Sequence, residues 1–355
     1  MRAAFLSDFY RGKRVLVTGH TGFKGAWLCH ILKSLGAVVT GYAKEPSTTP
    51  SLFELARVGE GMTSVIGDVR DLDALLATFM QAEPEIVFHL AAQPLVREGY
   101  RDPVSTYGTN VMGTVHVLEC VRQCPAVRAV VNVTTDKVYE NKEQQAGYVE
   151  GDRLGGTDPY ASSKACSELV TESYRSSFLA ERGAGVCTVR AGNVIGGGDF
   201  AADRILPDCV RAALQGRELV LRYPASVRPY QHVLEPLLAY LMIGERCFSK
   251  PLLAGSYNVG PNEGDCLKTL ELVRCFERAW GTPLPVKMGE EKAPHEAGLL
   301  RLNCDKMRQT FGWHPAWTAS VAVEKTVEWV RAWQAGDDLC AAMDAQTEDY
   351  IRSFG

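Results

Sequence analysis

The sequence predicts an α/β protein in which a doubly wound parallel sheet is joined to a smaller C-terminal substrate-binding lobe. In the first half, short apolar runs alternate with longer stretches of helical periodicity. After about residue 190, glycines and prolines divide the chain into shorter pieces. We therefore expect a first domain over residues 1–190, rejoined by about 230–262, and a lobe over 191–229 and 263–355.

Apolar runs mark the candidate strands at Val15–Val17, Val38–Tyr42, Ser64–Ile66, Ile86–Leu90, Ala129–Thr134 and Cys187–Arg190. The candidate helices between them are Trp27–Leu35, Leu72–Met80, Val111–Arg122 and Ala161–Ala180. Nearly continuous apolar strands are typical of a parallel sheet that is covered on both faces, with right-handed crossovers. Two later segments, Leu267–Trp280 and Ser320–Trp333, also have the periodicity of amphipathic helices.

Composition narrows the class of protein. The chain has 355 residues and a net charge of −4, so it lacks the basic surface that nucleic acids or anionic membranes attract. No apolar run approaches the roughly 20 residues of a membrane span. The residues before the first strand contain no apolar h-region, so we expect no signal peptide there. The 11 cysteines form no CxxC pair, so we expect free thiols, no metal site and a cytoplasmic location.

A glycine-rich turn follows the first predicted strand. Lys13–Thr18 leads into Gly19-His20-Thr21-Gly22-Phe23-Lys24-Gly25 and then into an apolar helix. Glycines at this turn permit close approach of backbone N–H groups to a pyrophosphate, which the helix N-terminus also attracts. This arrangement predicts a Rossmann dinucleotide site, whose expected contacts include Gly19, Thr21, Gly22, Phe23 and Gly25.

The position that would contact the ribose of the dinucleotide is less distinctive. The second strand ends without an acidic residue and is followed by Lys44, so the residues leave NAD and NADP both open. Asp68 and Val69 follow the third strand, where we expect them to meet the adenine. An alternative role for Asp68 is to cap the helix that starts at Leu72.

A Tyr-x-x-x-Lys pair starts a later helix. The spacing places Tyr160 and Lys164 on one helix face, about one turn apart. We expect the lysine and a cofactor charge to lower the pKa of Tyr160, which would suit it to act as a general base on a sugar hydroxyl. Thr134 and Thr135 lie at the end of an upstream strand. Together with the glycine-rich turn, they favour the interpretation of this spacing as a catalytic pair.

Over nearly its whole length the chain resembles the extended short-chain dehydrogenases/reductases, and within them the nucleotide-sugar 4,6-dehydratases. The resemblance rests on six blocks in order: GHTGFKGAWL (19–28), AAQPLVREGY (91–100), TTDKVYEN (134–141), DPYASSKACSELV (158–170), RAGNVIGGGDFAADRILPD (190–208) and RPYQHVLEPL (228–237). It implies NAD as cofactor. The residues that fall in the family's cofactor and catalytic pattern are Gly19, Gly22, Gly25, Ala91, Ala92, Asn110, Thr135, Tyr160 and Lys164.

The resemblance also implies a reaction. A 4,6-dehydratase takes hydride from C4 of a nucleotide-activated hexose, eliminates water across C5 and C6, and returns the hydride to C6. Thr135 would contact the C4 oxygen and Asp136 would be the acid for the departing C6 oxygen, although an Asp after a strand also often caps the next turn. Better-known relatives have Asp-Glu here, whereas this chain has Asp136-Lys137, so we hypothesise that Lys137 handles the C5 proton; the alternative is a surface lysine.

Further residues are candidates for the nucleotide sugar: Gln93, Asn193, Arg204, Arg228 and His232. Arginine forks suit a diphosphate, but arginines also form salt bridges between lobes, and His232 is equally well explained as a core histidine. His295, Glu296 and Arg301 are weaker candidates.

Other interpretations of the whole chain stay open. The alternatives are an epimerase or reductase on another nucleotide sugar, and a non-catalytic dinucleotide-binding scaffold. A homodimer or a dimer-based oligomer is expected by analogy, through Val104–Val121 and Tyr160–Ser177.

Overall fold

A seven-stranded parallel sheet forms the centre of the computed structural model, which describes residues 2–289 and 299–354. The strand order is β11-β6-β5-β4-β1-β2-β3. All neighbouring strands are parallel. These strands are β1 (Arg14–Thr18), β2 (Val38–Ala43), β3 (Thr63–Ile66), β4 (Ile86–His89), β5 (Ala129–Val133), β6 (Gly185–Ala191) and β11 (Gly255–Val259). The order reverses between β1 and β4, and in such sheets ligands bind in the crevice at that point.

Helices cover both faces of this sheet, and further helices pack on the shorter strands and on one another. They are α1 (Arg2–Tyr10), α2 (Phe23–Ser34), α3 (Leu52–Leu55), α4 (Leu72–Ala82), α5 (Val96–Arg101), α6 (Pro103–Tyr107), α7 (Gly113–Gln123), α8 (Pro159–Tyr174), α9 (Ile205–Gln215), α10 (Leu234–Ser249), α11 (Thr269–Trp280), α12 (Asp305–Phe311), α13 (Ala319–Ala335) and α14 (Leu339–Phe354). Alternate residues of β1 point to opposite faces, so Val15 and Val17 join one buried cluster and Leu16 joins the other.

Short strands build the region above the carboxyl ends of the sheet. They are β7 (Val194–Ile195), β8 (Leu219–Leu221), β9 (Val227–Arg228), β10 (Gln231–His232), β12 (Leu267–Lys268) and β13 (Val286–Met288). They pair as β7 with β10, β9 with β12 and β8 with β13. Glu235 of α10 ties the C-terminal helices to this layer, since it accepts hydrogen bonds from the backbone of Ala316 and Trp317 and from Tyr350.

The predicted α/β fold is confirmed, and each apolar run forms a strand of the central sheet. The segment 230–262 contains α10 and β11, which complete the sheet layer; the division into two lobes stays a prediction. The helix predicted from Leu267 begins at Thr269, because Leu267 and Lys268 pair with β9. All eleven cysteines are free. Among the described residues, the helices are too short or too polar for any to cross a membrane.

Candidate active site

The glycine loop, residues 19–25, forms a backbone cradle between β1 and α2. Gly19 has a φ of +78°, and a Cβ there would lie 2.7 Å from the backbone nitrogen of Ala91. A Cβ on Gly25 would lie 2.1 Å from the Gly19 carbonyl oxygen, so both positions require glycine. Gly22 caps α2 without a side-chain acceptor, which leaves first-turn N–H groups for an anion. The cradle therefore fits the pyrophosphate of a dinucleotide.

The far end of this cradle is built from the ends of β2 and β3. Thr21 donates a hydrogen bond to the carbonyl of Lys44 at 2.8 Å, which closes the loop against β2. The Asp68 carboxylate forms an ion pair with Arg70 at 2.6 Å, and hydrogen bonds from Arg70 lower the pKa of that carboxyl. Asp71 caps α4, which corrects the alternative role proposed for Asp68. Val69 is buried beneath this end.

The loop after β4 is held by Asn110. Its side-chain oxygen accepts from the Gln93 backbone at 2.8 Å, and its amide donates to Ser163 at 2.8 Å. Asn110 thereby connects the loop that carries Ala91 and Ala92 to α8. The Gln93 side chain bonds within its own surroundings, to Thr106 and to the Leu95 backbone, so its predicted reach toward a sugar gains no support.

The catalytic candidates meet at the carboxyl end of β5. Asp158 caps α8, so that Tyr160 and Lys164 face the end of that strand. Tyr160 is hydrogen-bonded to the Thr135 side chain. Thr135 in turn donates to Asp136 at 3.0 Å. Lys164 donates to the Val133 carbonyl at 2.9 Å. A phenol, a hydroxyl and a carboxyl group therefore lie next to one another.

Burial shifts the pKa of the carboxyl group in this cluster. Asp136 is 1% exposed and its second oxygen lacks a hydrogen-bond partner among the described residues. Burial raises its pKa, although Lys137, Thr135 and Arg228 oppose that rise. The lowering of the Asp136 pKa by Lys137 is thus outweighed, and a protonated acid fits the site.

Tyr160 departs from the sequence expectation. Burial raises its pKa to about 12, and the neighbouring Thr135 side chain only partly offsets this rise. The expected lowering by Lys164 is wrong for the protein groups alone, because the cost of burying a phenolate is larger. Burial also lowers the pKa of Lys164 to about 8, and the nearby Glu168 opposes that change.

Lys24 belongs to the same site, although the sequence analysis does not single it out. Its ammonium lies 3.2 Å from the Tyr240 hydroxyl of α10. Burial first, and then the charges of Lys164 and Arg204, lower its pKa to about 7, while Asp136 opposes the shift. A lysine in the first turn of a helix opposes the helix dipole, and this is the sequence signal that identifies it.

The two arginines predicted for the substrate approach the catalytic cluster. Arg204 pairs with Asp199 at 3.0 Å and lies close enough to Tyr160 to lower that residue's pKa. Arg228 is buried and its charge lowers the pKa of Asp136. Lys137 follows Asp136 in the same short 3₁₀ turn and is partly buried.

The remaining predicted substrate residues differ in placement. Asn193 follows β6 with a φ of +37°, a strained conformation at the strand end. His232 is fully buried between Trp27 and Trp317, and burial lowers its pKa to about 3. Its prediction as a substrate contact is corrected, because the ring is a core histidine. Arg301 contacts the Gln145 carbonyl, whereas His295 and Glu296 lie outside the described residues.

The parallel sheet, the glycine cradle and the Tyr–Lys pair beside Thr135 define a dinucleotide-dependent enzyme of the extended short-chain dehydrogenase/reductase class. Residues 15–260 match the model of the NAD dependent epimerase/dehydratase family. The chain belongs to this family, so the expected cofactor, NAD, is confirmed. Among the described residues we find no group of three or more His, Cys, Asp or Glu side chains arranged for a metal ion.

Individual relatives are similar over most of their length. CDP-glucose 4,6-dehydratase of Salmonella typhimurium is 45% identical over 351 residues, which cover 97% of this chain and 98% of that protein. UDP-glucose 4-epimerase of Thermus thermophilus in complex with NAD is 26% identical with a TM-score of 0.78, covering 89% and 98% of the two chains. dTDP-glucose 4,6-dehydratase of Bacillus anthracis in complex with NAD has a TM-score of 0.77 at 22% identity, covering 92% and 99%.

Proposed function

We propose that this enzyme is an NAD-dependent hydro-lyase that converts CDP-glucose to CDP-4-keto-6-deoxyglucose and water. The observation that carries the proposal is Thr135, which is hydrogen-bonded to Tyr160 on one side and to Asp136 on the other. The Thr135 hydroxyl thus lies between a base for oxidation at C4 and an acid for the oxygen at C6. The similarity to CDP-glucose 4,6-dehydratase supports the choice of nucleotide.

The first step, oxidation at C4, uses residues of the glycine loop, of the end of β5 and of α8. The cradle of Gly19, Gly22 and Gly25 would hold NAD, and the bound nicotinamide would supply the acceptor for the C4 hydride and its donor at C6. Tyr160 takes the proton of the C4 hydroxyl, while Thr135 hydrogen-bonds the same oxygen. Lys164 orients the nicotinamide ribose.

Elimination uses the next two residues along the chain. The 4-keto group acidifies the C5 proton, and Asp136 donates a proton to the C6 oxygen, which leaves as water. Burial raises the pKa of Asp136, which favours the protonated form for this step. Lys137 handles the C5 proton, because it is the neighbouring side chain in the same turn.

The substrate's diphosphate binds to arginine side chains. Arg204 and Arg228 lie beside Tyr160 and Asp136, and their guanidinium groups match paired phosphate oxygens. Asn193, at the end of β6, contacts the hexose end. These assignments derive from placement near the catalytic cluster.

A cytoplasmic homodimer is the expected form of the enzyme. Large apolar side chains are exposed on the segments that were expected at the interface: Val104, Tyr107 and Met112 near α6 and α7, and Leu169 on α8. Exposed apolar clusters of this kind are typical of protein–protein contacts. Sedimentation of the purified protein, compared with a Val104→Lys/Leu169→Lys variant, tests the assembly.

The activity is tested by incubating the purified enzyme with NAD and, separately, CDP-, dTDP-, GDP- and UDP-glucose, and following the products by mass. Loss of one water with CDP-glucose, without net formation of NADH, is the expected result. Water loss with a different nucleotide sugar corrects the base and keeps the chemistry. If no nucleotide sugar loses water, the proposal fails and an epimerase or reductase is favoured.

A further inference from the structure

Glu168 is a buried carboxylate that the proposed chemistry does not use. It is 3% exposed on α8. It stands one helical turn after Lys164 and two after Tyr160, so the three side chains share one helix face. A buried charge next to catalytic groups is costly unless it is fully paired, so its partners are informative.

Both oxygens of Glu168 are engaged. One oxygen accepts a hydrogen bond from Thr134 at 2.5 Å. The other accepts from Thr188 at 2.6 Å and from Arg190 at 2.8 Å, and Ser256 donates to it at 3.3 Å. The carboxylate therefore connects α8 to the end of β5, to β6 and to β11.

Two of the contacts fix the strand end that carries the catalytic hydroxyl. Lys164 holds the Val133 carbonyl and Glu168 holds the Thr134 hydroxyl, on consecutive residues. The next residue is Thr135. Any shift of α8 relative to β5 would separate Thr135 from Tyr160, and these paired contacts oppose that shift.

Among the charged groups around Lys164, Glu168 is the anion whose charge favours the ammonium form. Lys24 on α2 is a like charge, and His89 on β4 is a buried imidazole with a pKa lowered to about 3. Glu168 raises the pKa of Lys164 against the effect of burial. Arg190 on β6 pairs with Glu168 on its far side and receives further support from Tyr139 at 2.9 Å.

We propose that Glu168 is a positioning residue of this site, which maintains Lys164 as an ammonium and fixes Thr135 opposite Tyr160 through its contact with Thr134. The inference rests on the proposed role of Lys164 in holding the nicotinamide ribose. It adds a requirement beyond the Tyr–Lys pair itself: the pair needs a buried anion one turn further along the helix.

The test is the pH dependence of NADH binding, measured by fluorescence titration between pH 6 and 9. In the wild type, binding weakens as Lys164 loses its proton near the pKa of about 8. Glu168→Gln removes the anion and keeps the side-chain volume. We expect the midpoint of the loss to fall by about one pH unit, so that binding at pH 8 weakens by about fivefold.

Controls separate positioning from folding. Glu172→Gln changes an exposed carboxylate one turn further along α8, paired with Arg175, and leaves the midpoint unchanged. Glu168→Gln leaves the buried Arg190 without its carboxylate partner. Glu168→Gln/Arg190→Met therefore provides a second variant with no unpaired buried charge. A purely structural role lowers the melting temperature and leaves the midpoint in place.

A folded Glu168→Gln or double variant with the wild-type midpoint overturns the inference. Lys164→Met distinguishes failure of the inference about Glu168 from failure of the proposed role of Lys164. If Lys164→Met abolishes the alkaline loss while Glu168→Gln does not move it, only the inference fails. If Lys164→Met binds NADH with the wild-type profile, the role of Lys164 itself is wrong and the inference falls with it.

Discussion

The ammonium of Lys24 lies 3.2 Å from the hydroxyl of Tyr240, in the first turn of the helix that follows the glycine loop. This cation stands at the positive end of the helix dipole and near two further cations, Lys164 and Arg204. Such a cluster is unfavourable in the protein alone, but it complements the negative charge of a dinucleotide and of a diphosphate sugar. The site is therefore organised for anionic ligands in spite of the chain's negative net charge.

Lys24→Met is expected to flatten the rise of stability at alkaline pH. Because the folded-state pKa is lowered to about 7, the unfolded chain binds the proton more tightly, so folding is penalised below pH 7 and the penalty disappears as pH rises toward 10. Urea denaturation of the ligand-free protein at pH 6, 7, 8 and 9 measures this slope. Tyr240→Phe removes the hydroxyl and keeps the lysine, so its slope should stay close to that of the wild type.

Much of this fold could be predicted from the sequence because parallel strands are short, apolar and separated by helices. The six runs from Val15 to Arg190 were found on that pattern. Helix α10 is harder, because it is buried on most sides and lacks a clear polar face. The rejoining strand β11 contains Ser256 and Asn258, whose side chains bond to Glu168 and Tyr139 inside the protein. Buried polar networks of this kind resemble loops when only the sequence is available.

The candidate site likewise contains residues that the sequence predicted and residues that it did not. Tyr160 and Lys164 were predicted from spacing, and Thr135 and Asp136 from their place after a strand. Lys24 and Glu168 were missed because their roles depend on contacts with residues far away in the chain, Tyr240 and Arg190. The direction of the Tyr160 shift was missed because the extent of burial is a tertiary property.

Glu235→Gln should stabilise the protein at neutral and alkaline pH. Burial raises the pKa of Glu235 to about 7, so the stability it contributes is complete below pH 4.5 and is lost as pH rises through about 7. The full difference corresponds to about 3 kcal/mol. An amide still accepts from the Ala316 and Trp317 backbones and donates to Tyr350, which mimics the protonated acid. Thermal unfolding at pH 5.5, 7 and 8.5 tests this, and parallel pH profiles for both proteins would contradict it.

Asp136→Asn should separate oxidation from elimination. The amide preserves the contact with Thr135 but cannot supply the proton for the C6 oxygen, so water loss is expected to fall by about 10²- to 10⁴-fold. Oxidation at C4 continues, and absorbance at the wavelength of reduced nicotinamide should rise when nucleotide sugar is added. Tyr160→Phe is the matched control, since it should block both steps. Product formation by Asp136→Asn at the wild-type rate would contradict the acid assignment.

Lys137→Met tests the residue that differs from the Asp-Glu pattern of related dehydratases. The side chain is partly buried and lies in the same 3₁₀ turn as Asp136, so the methionine fills similar space without an amine. If the amine handles the C5 proton, exchange of that proton with deuterated water should be lost together with water elimination, while C4 oxidation persists. Lys137→Glu is the companion variant, because it places a carboxylate base at this position, as in the Asp-Glu pattern that the resemblance implies. Partial recovery of C5 exchange in Lys137→Glu, but none in Lys137→Met, identifies proton transfer as the function of this position. Full elimination activity in Lys137→Met would instead assign it to the protein surface.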